Sequence, residues 1–187
     1  EGLYEGADWH DHRKGDRSAV DGKVVRCLYD RFVLEGGDKR IYTTLWWRAG
    51  RYIDLHVETQ DDPLILDGLT WRETRYPLEM EAALETDGAA FDAVRPLMFR
   101  TLQMCAHETY MDCPYFEQLQ YGGDTRLEIL ATYLSTHDDR LPVRAATLFD
   151  QSRGPDGLTR SRYPSAVPQV IPPFSLWWVA IVYDLYM

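Results

Sequence analysis

The chain of 187 residues lacks the long apolar runs and the basic charge that would tie it to a membrane or to nucleic acid. Its best apolar stretch, residues 176–182, is far shorter than the roughly 20 residues that a transmembrane helix needs. The 30 Asp and Glu outnumber the 20 Lys and Arg, which gives a net charge of −10. Nucleic acid and anionic membranes both attract basic protein faces, so neither is an expected partner. This charge does not oppose a neutral substrate.

Cysteine is also scarce, and its odd count of three means that the thiols cannot all pair within the chain. Cys105 and Cys113 are close enough in sequence to form one pair, but free buried thiols are the expectation. Residues 1–6 are neither basic nor apolar enough for a secretory signal, and the sequence has no initiating Met. We therefore expect an internal piece of a longer chain.

The first third of the sequence favours antiparallel β structure. In residues 51–58, the polar side chains of alternate residues fall on one face and Ile53, Leu55 and Val57 on the other, which is typical of a half-buried strand. Strands are predicted over residues 24–34, 39–47, 51–59, 64–66 and 69–76. Together they predict part of a β-sandwich.

After Pro77 the apolar period changes to that of helices. Helices are predicted over residues 89–109, 125–136, 141–151 and 174–187. In the first helix, apolar residues recur at steps of three and four: Phe91, Val94, Met98, Leu102 and Cys105. Thr86, Asp87 and Gly88 read as its start, and Pro96 should kink it or mark an early turn. The sequence therefore predicts an α+β protein.

Between the first two helices lies a loop, residues 111–124, which is rich in acids and aromatics. Pro114 cannot continue a helix, and Gly122 and Gly123 allow a tight backbone before Asp124, a good helix N-cap. The loop holds three acids and three aromatic residues: Asp112, Glu117, Asp124, Tyr115, Phe116 and Tyr121. Acids beside aromatic rings are typical of sugar sites with a tuned carboxyl group. The alternative is a solvated, acid-rich connector.

The loop's side chains fit the chemistry of glycoside hydrolysis. The glycosidic oxygen is a poor leaving group, so an acid must protonate it as the bond breaks. Glu117, flanked by Phe116 and covered by Tyr121, would be shielded from water and stay protonated. Asp112 and Asp124 would stay ionised and accept hydrogen bonds from sugar hydroxyls. An inverting enzyme also needs a carboxylate about 6.5–9.5 Å away to activate water, and Asp112 is the formal candidate within this chain.

The loop resembles the signature loop of the bacterial α-L-rhamnosidases, which are inverting glycoside hydrolases with a six-hairpin helical barrel. The motif residues are Asp112, Cys113, Pro114, Glu117, Tyr121, Gly123 and Asp124. Residues 45–53 resemble the last strand pair before that barrel, and the resemblance extends over roughly residues 24–187. Phe116 and Tyr121 stand where many members have Arg and Trp.

This resemblance implies a fold and a set of roles. Residues 1–78 would be the C-terminal part of a β-sandwich, and residues 79–187 the first hairpins of an (α/α)6 barrel. Glu117 would be the general acid, with the general base on a later hairpin outside this chain, so the fragment alone would be inactive. The substrate would be a rhamnose-containing glycoside or oligosaccharide, and the other partner would be the rest of the polypeptide. The resemblance implies no cofactor and no metal, and favours a periplasmic or extracellular location.

In that family the acids that match Asp112 and Asp124 bind rhamnose hydroxyls, and the aromatic residue that matches Tyr121 lines the sugar pocket. Tyr115 and Phe116, the loop's other two aromatic residues, are further candidates for contact with the sugar.

Other interpretations remain open. A carbohydrate-binding module would use Trp46, Trp47 and Trp71 as stacking platforms, although core packing also explains them. A different six-hairpin hydrolase, such as an α-fucosidase or a glucuronyl hydrolase, would share the barrel. The pairs His10 with His12 and His107 with Cys113 suggest metal ligands, but no four-ligand spacing supports either pair.

Overall fold

The computed structural model describes residues 2–83, 85 and 88–187. The chain divides into two compact units, Glu1–Thr70 and Trp71–Met187. Two short strands lie in the first unit and four helices in the second, among the residues described. This mixture of a small antiparallel sheet and helices agrees with the α+β class predicted from the sequence.

The first unit contains a two-stranded sheet. Strand β1, Leu3–Tyr4, pairs antiparallel with β2, Val24–Val25, so that Leu3 lies opposite Val25 and Tyr4 opposite Val24. The Arg26 guanidinium lies 3.6 Å from the centre of the Tyr4 ring, and the Lys14 ammonium lies 3.5 Å from it. Cations on an aromatic face add to the pairing of these two short strands.

The longer predicted strands do not form. Only Val24–Val25 of residues 24–34 is a strand, and residues 39–47, 51–59, 64–66 and 69–76 have no strand pairing. Their apolar side chains are largely exposed, including those of Ile41, Leu45 and Ile65. The alternation of polar and apolar residues determines which face of a strand each side chain would occupy. A strand also needs a neighbouring strand for its backbone hydrogen bonds and a packed layer that covers its apolar face. The described residues supply neither.

The described part of the second unit contains four helices: α1, Ala89–Cys105; α2, Gly122–Tyr133; α3, Arg140–Gln151; and α4, Pro172–Tyr186. All four predicted helices are confirmed, with ends that differ by up to four residues. Pro96 lies inside α1. Thr86 and Asp87, part of the predicted start of α1, lie outside the described residues.

The first helix ends earlier than predicted, at Cys105, because the chain reverses there. Ala106 and Tyr110 form an antiparallel bridge, and the N–H of His107 donates to the carbonyl of Thr109 at 3.0 Å. The backbone N–H and carbonyl groups that would continue the helix are hydrogen-bonded within this turn instead.

The sequence predicted Asp124 as the N-cap of α2, and this prediction is wrong. The helix begins at Gly122 with Tyr121 as its N-cap, and the Tyr121 carbonyl accepts the N–H of Thr125 at 2.9 Å. Asp124 therefore lies in the first turn, where a negative charge faces the positive end of the helix dipole.

A buried core joins α2, α3 and α4. It is built from Leu78, Leu102, Ala106, Tyr110, Ile129, Leu141, Ala145, Phe149 and Ile181. Arg126 on α2 pairs with Asp184 on α4 at 2.8 Å, and the Trp178 indole donates to the Ala146 carbonyl at 3.0 Å. The first contact holds α2 against α4, and the second holds α4 against α3.

Part of the apolar surface stays uncovered. Leu102 and Cys105 of α1 are buried, whereas Phe91, Val94 and Met98 of the same predicted face are exposed. On α4 the exposed apolar side chains include Leu176, Val179, Val182, Tyr183 and Tyr186. None of the described helices is both long enough and apolar enough to cross a membrane.

Candidate functional site

The loop between α1 and α2 is closed by hydrogen bonds between its own residues. The N–H of Asp112 donates to the Leu119 carbonyl at 2.9 Å, and the N–H of Leu119 donates to Asp112 Oδ1 at 2.9 Å. Within this ring the Gln118 amide donates to the Pro114 carbonyl at 3.0 Å, and Gln118 has a φ of 53°. The ring fixes the segment that carries Glu117, whose N–H donates to Cys113 Sγ at 3.3 Å.

The end of the loop is pinned by the segment that follows α3. The N–H of Gly122 donates to the Ser161 carbonyl at 2.9 Å, and the N–H of Tyr163 donates to the Gln120 carbonyl at 3.1 Å. The side-chain amide of Gln120 donates to the Tyr163 carbonyl at 2.8 Å. The Ser161 hydroxyl donates to the Gln169 side chain at 3.0 Å. The proline-rich segment therefore holds the loop through backbone and side-chain bonds.

Tyr121 lies at the centre of this junction, in an isolated antiparallel bridge with Arg162. Nη1 of Arg162 donates to the Tyr121 hydroxyl oxygen, and the guanidinium carbon lies 5.3 Å from the centre of the ring. Burial is the main cause that raises the pKa of Tyr121, and a hydrogen-bonding interaction with the Glu117 carboxyl raises it further. The cation of Arg162 lowers the same pKa. Arg162 thus holds Tyr121 through both its backbone and its hydroxyl group.

Gly122 and Gly123 allow the start of α4 to pack closely against the start of α2. A Cβ on Gly123 would meet the Phe174 ring at 2.6 Å, and one on Gly122 would meet the Phe174 Cβ at 3.3 Å. Phe174, at the start of α4, also lies edge-on to the Tyr121 ring, with centroids 6.4 Å apart and planes at 84°. The glycines let Phe174 approach the start of α2 and support Tyr121 from the side.

Glu117 lacks the shielding that the sequence predicted. Its side chain is exposed, and the neighbouring Phe116 is 58% exposed. The Phe116 ring instead packs edge-on against Tyr115, with centroids 4.6 Å apart. Asp124 is exposed and Asp112 is half-buried. Glu117 is therefore open to solvent, because the Phe116 ring packs on Tyr115 rather than over the Glu117 side chain.

The desolvated carboxyl group of the region belongs to Glu128. Its pKa is raised to about 9, mainly by burial and to a smaller extent by the nearby charges of Asp124 and Asp112, against the opposing effect of a bond from the Met111 N–H. Its Oε2 atom is buried and has no hydrogen-bond partner among the described residues. Glu128 is therefore protonated near neutral pH.

Sequence reasoning missed Glu128, although a signal was present. It follows Asp124 by one helical turn and lies between the buried positions Thr125, Ile129 and Thr132 of α2. An acid at that spacing faces the core side of an amphipathic helix.

The cysteines are free. Cys105 is buried, Cys113 is half-buried and Cys27 is exposed, so the expectation of free buried thiols holds fully only for Cys105. Burial raises the pKa of Cys105 to about 12, with smaller contributions from Glu128, Cys113 and Asp112. Cys105 is therefore a thiol, not a thiolate nucleophile.

No group of three His, Cys, Asp or Glu side chains within the described residues is arranged to hold a metal ion. Burial lowers the pKa of His107, and its ring nitrogen contacts the Met104 carbonyl at 3.1 Å. His107 is accounted for by these local contacts.

A surface groove of about 500 Å³ runs along α3, lined by residues that include Asp139, Arg140, Val143 and Arg144. None of the loop residues lines it, so this groove is separate from the candidate site.

No protein-family model matches the chain, and no curated protein sequence matches it. Among solved structures, the chain is similar to the crystal structure of a GH78 family rhamnosidase of Bacillus sp. GL1. The two are 27% identical with a TM-score of 0.54, over 59% of this chain and 12% of that one. The similarity suggests a glycoside hydrolase-like origin for this chain. The chain spans only a small part of the length of that structure.

Proposed function

We propose that this chain is part of a glycoside hydrolase that cleaves terminal α-L-rhamnosides with inversion and uses Glu117 as its general acid. One observation carries the proposal: Asp112 and Glu117 lie in a loop that is fixed at both ends and Asp124 lies in the helical turn that follows it, in a chain similar to a GH78 rhamnosidase. An exposed acid in a fixed loop is accessible to a sugar, and the fixed backbone limits the positions that its carboxyl group can take. Both are needed for proton transfer in a defined geometry.

The proposed mechanism assigns a role to Glu117, Tyr121, Asp112 and Asp124. Glu117 gives its proton to the glycosidic oxygen as the bond to the anomeric carbon breaks. The Tyr121 hydroxyl, which interacts with the Glu117 carboxyl, then stabilises the carboxylate that is left. Asp112 and Asp124 accept hydrogen bonds from sugar hydroxyls. They also favour the positive charge that develops on the ring in the transition state.

Glu128 supports this distribution of charge. Because it is neutral near pH 7, it adds no third negative charge beside Asp112 and Asp124. Two carboxylates that must both stay ionised benefit from a neutral neighbour, since a like charge nearby would favour protonation of one of them.

The proposal places the general base on a later hairpin of the same polypeptide, outside this chain. Residues 1–78 would then belong to a β-sandwich and residues 79–187 to the beginning of an (α/α)6 barrel. The exposed apolar side chains on α1 and α4 support this arrangement, since further hairpins would cover them. The chain by itself would lack the base and would be inactive.

A second candidate function is sugar binding without catalysis. Trp46 is 51% exposed and Trp71 is 67% exposed, so these rings are not in a core, and exposed Trp rings are typical stacking surfaces for sugars. This module would use the tryptophans instead of the acid loop.

A panel of nitrophenyl glycosides on the protein that contains the complete barrel tests the proposed function. Turnover of the α-L-rhamnoside, well above that of the α-L-fucoside and the glucuronide, is the expected result. Turnover of another glycoside would assign a different six-hairpin hydrolase. Binding of rhamnose without turnover, unchanged in Glu117→Gln, would favour the binding module.

A further inference from the structure

Arg162 and Tyr121 lie side by side where the proline-rich segment after α3 meets the end of the loop. The two backbone hydrogen bonds between residues 120–122 and residues 161–163 flank this pair and do not involve it. In an antiparallel bridge of this kind the two side chains stand close together on the same face. Nη1 of Arg162 accordingly donates to the Tyr121 hydroxyl, and the guanidinium carbon lies 5.3 Å from the centre of the ring.

The other face of the same bridge is turned toward the core. Gln120 is 2% exposed, Ser161 is fully buried, and Tyr163 packs against the buried core. Because side chains of extended chain alternate between two faces, Arg162 and Tyr121 occupy the face that is turned away from the core. Both are half-buried. Arg162 therefore borders the same surface as Tyr121, which belongs to the candidate site.

The charge of Arg162 is not paired with an acid, although acids outnumber bases by 30 to 20 in this chain. Arg126 and Arg153 form ion pairs at 2.8 and 2.7 Å, whereas Arg162 forms none among the described residues. Tyr121 engages Nη1, but Nη2 and the buried Nε have no hydrogen-bond partner among those residues. Buried donors in proteins are nearly always hydrogen-bonded, so this guanidinium points to a partner outside the described chain.

We propose that Arg162 contacts the substrate and binds a carboxylate on the leaving group, so that this site cleaves rhamnosides of uronic acids. This inference rests on the proposed function and names the class of leaving group, which that function leaves open. Rhamnose is a 6-deoxy sugar without an ionisable group. The carboxylate therefore belongs to the sugar that leaves.

The types of hydrogen-bonding group separate the role of Arg162 from the roles of the acids. Ionised Asp112 and Asp124 only accept hydrogen bonds, so they suit hydroxyl groups. A guanidinium only donates, keeps its charge, and presents its donors in a planar fork that matches the two oxygens of a carboxylate. A chain with a net charge of −10 repels an anionic substrate, and a cation without an acid partner offsets that repulsion locally.

The position of Arg162 fits contact with the leaving sugar. Glu117 gives its proton to the oxygen that joins the two sugars, so the leaving sugar lies against the loop that carries Glu117. Arg162 borders the end of that loop through its bridge to Tyr121.

The test compares two disaccharides of the same linkage, α-L-rhamnosyl-D-glucuronate and α-L-rhamnosyl-D-glucose, which differ in one carboxylate. The ratio of kcat/KM for the two is measured in the protein that contains the complete barrel. The wild type should favour the uronate, and Arg162→Gln should lower the ratio by about tenfold or more. Arg162→Lys keeps the charge but loses the fork, so it should retain part of the preference. A ratio cancels any general loss of folded protein.

Arg153→Gln is the matched control, because Arg153 also lies over an aromatic ring, that of Trp178, but pairs with Asp150 at 2.7 Å. It removes one positive charge from the chain and should leave the ratio at its wild-type value. Equal cleavage of the two disaccharides by the wild type would overturn the inference and leave the proposed function in place. A preference for the uronate that survives in Arg162→Gln would do the same.

Binding without turnover separates this inference from the identity of the acid. Isothermal titration of Glu117→Gln gives the Kd of each disaccharide, and the uronate should bind about tenfold more tightly or better. Adding Arg162→Gln should abolish that difference. Equal Kd values in Glu117→Gln would contradict the role of Arg162 alone. Failure of the wild type to bind or cleave either rhamnoside would contradict the proposed function, and this inference with it.

Discussion

Asp112 and Leu119 are joined twice across the candidate loop. Each donates its backbone N–H to the other at 2.9 Å, to the Leu119 carbonyl in one direction and to Asp112 Oδ1 in the other. Asp112 therefore has a structural role that is separate from any contact with a sugar. The loop motif reflects its own folding as well as its proposed chemistry.

The two roles of Asp112 can be separated by substitution. Asp112→Asn keeps a carbonyl oxygen for the Leu119 N–H but loses the negative charge, whereas Asp112→Ala loses both. We expect Asp112→Ala to lower the free energy of unfolding by about 1–3 kcal/mol, and Asp112→Asn to cost well under half of that. Urea unfolding of the two variants measures the difference. Equal losses would mean that the charge, not the Leu119 bond, stabilises the loop.

Glu128 gives the chain a pH-dependent stability. The pKa of Glu128 in the folded state is raised to about 9 from a reference value of 4.5. The protonated form of Glu128 therefore makes its full contribution to the free energy of unfolding only below pH 4.5. It is lost progressively as the pH rises from 4.5 to 9, because the unfolded chain ionises while the folded chain stays protonated. Glu128→Gln should therefore be more stable than the wild type at pH 7 and 9, but not at pH 4. The difference should grow by at most about 1.4 kcal/mol per pH unit.

The measurement is urea unfolding of both proteins at pH 4, 7 and 9. Glu108→Gln, a substitution at an exposed glutamate, controls for the loss of a negative charge in general. A constant difference between Glu128→Gln and the wild type at all three pH values would contradict the assignment of a neutral, buried Glu128.

Gly123 tests how tightly α4 approaches the start of α2. An Ala there favours helix by about 1 kcal/mol, but its Cβ would lie 2.6 Å from the Phe174 ring. We expect Gly123→Ala to be destabilised by about 1–3 kcal/mol, with Gly122→Ala, where the contact is 3.3 Å, costing less. Adding Phe174→Leu should recover part of the loss in Gly123→Ala. The thermal midpoints decide this, and a Gly123→Ala protein more stable than the wild type would contradict the packing.

The helices were predictable from the sequence because their signal is local. The apolar period of 3.6 and the Pro and Gly residues placed all four helices within a few residues of their ends. The end of α1 was missed because the Ala106–Tyr110 bridge stops it, and a bridge depends on a turn geometry that the period does not encode. The strands were over-predicted because pairing partners are not a local property.

The site was predictable only in part. The loop and its acids followed from the residues, but the position of Arg162 did not. Its contact with Tyr121 was not predictable, because it joins segments about 40 residues apart that the α2–α4 packing brings together. The aromatic neighbours of Glu117 in sequence predict that Glu117 is the shielded acid, whereas in the structure desolvation raises the pKa of Glu128 on the adjacent helix.

The central claim is that Glu117 transfers a proton to the leaving group. In the protein that contains the complete barrel, Glu117→Gln keeps the shape of the side chain but has no carboxyl proton to give. General acid catalysis is worth about 10²–10⁴-fold, so kcat on a natural rhamnoside should fall by about that factor. A dinitrophenyl rhamnoside has a leaving group that needs little protonation, so its hydrolysis should slow much less.

Asp124→Asn is the matched control, since the loss of a sugar contact should slow both substrates to a similar extent. The most direct measurement is therefore the ratio of kcat on the natural rhamnoside to kcat on the dinitrophenyl rhamnoside, in the wild type and in each variant. We predict that Glu117→Gln lowers this ratio at least about tenfold while Asp124→Asn leaves it near the wild-type value. An unchanged ratio in Glu117→Gln, with both substrates slowed equally, would show that Glu117 binds the sugar and that the acid is another residue.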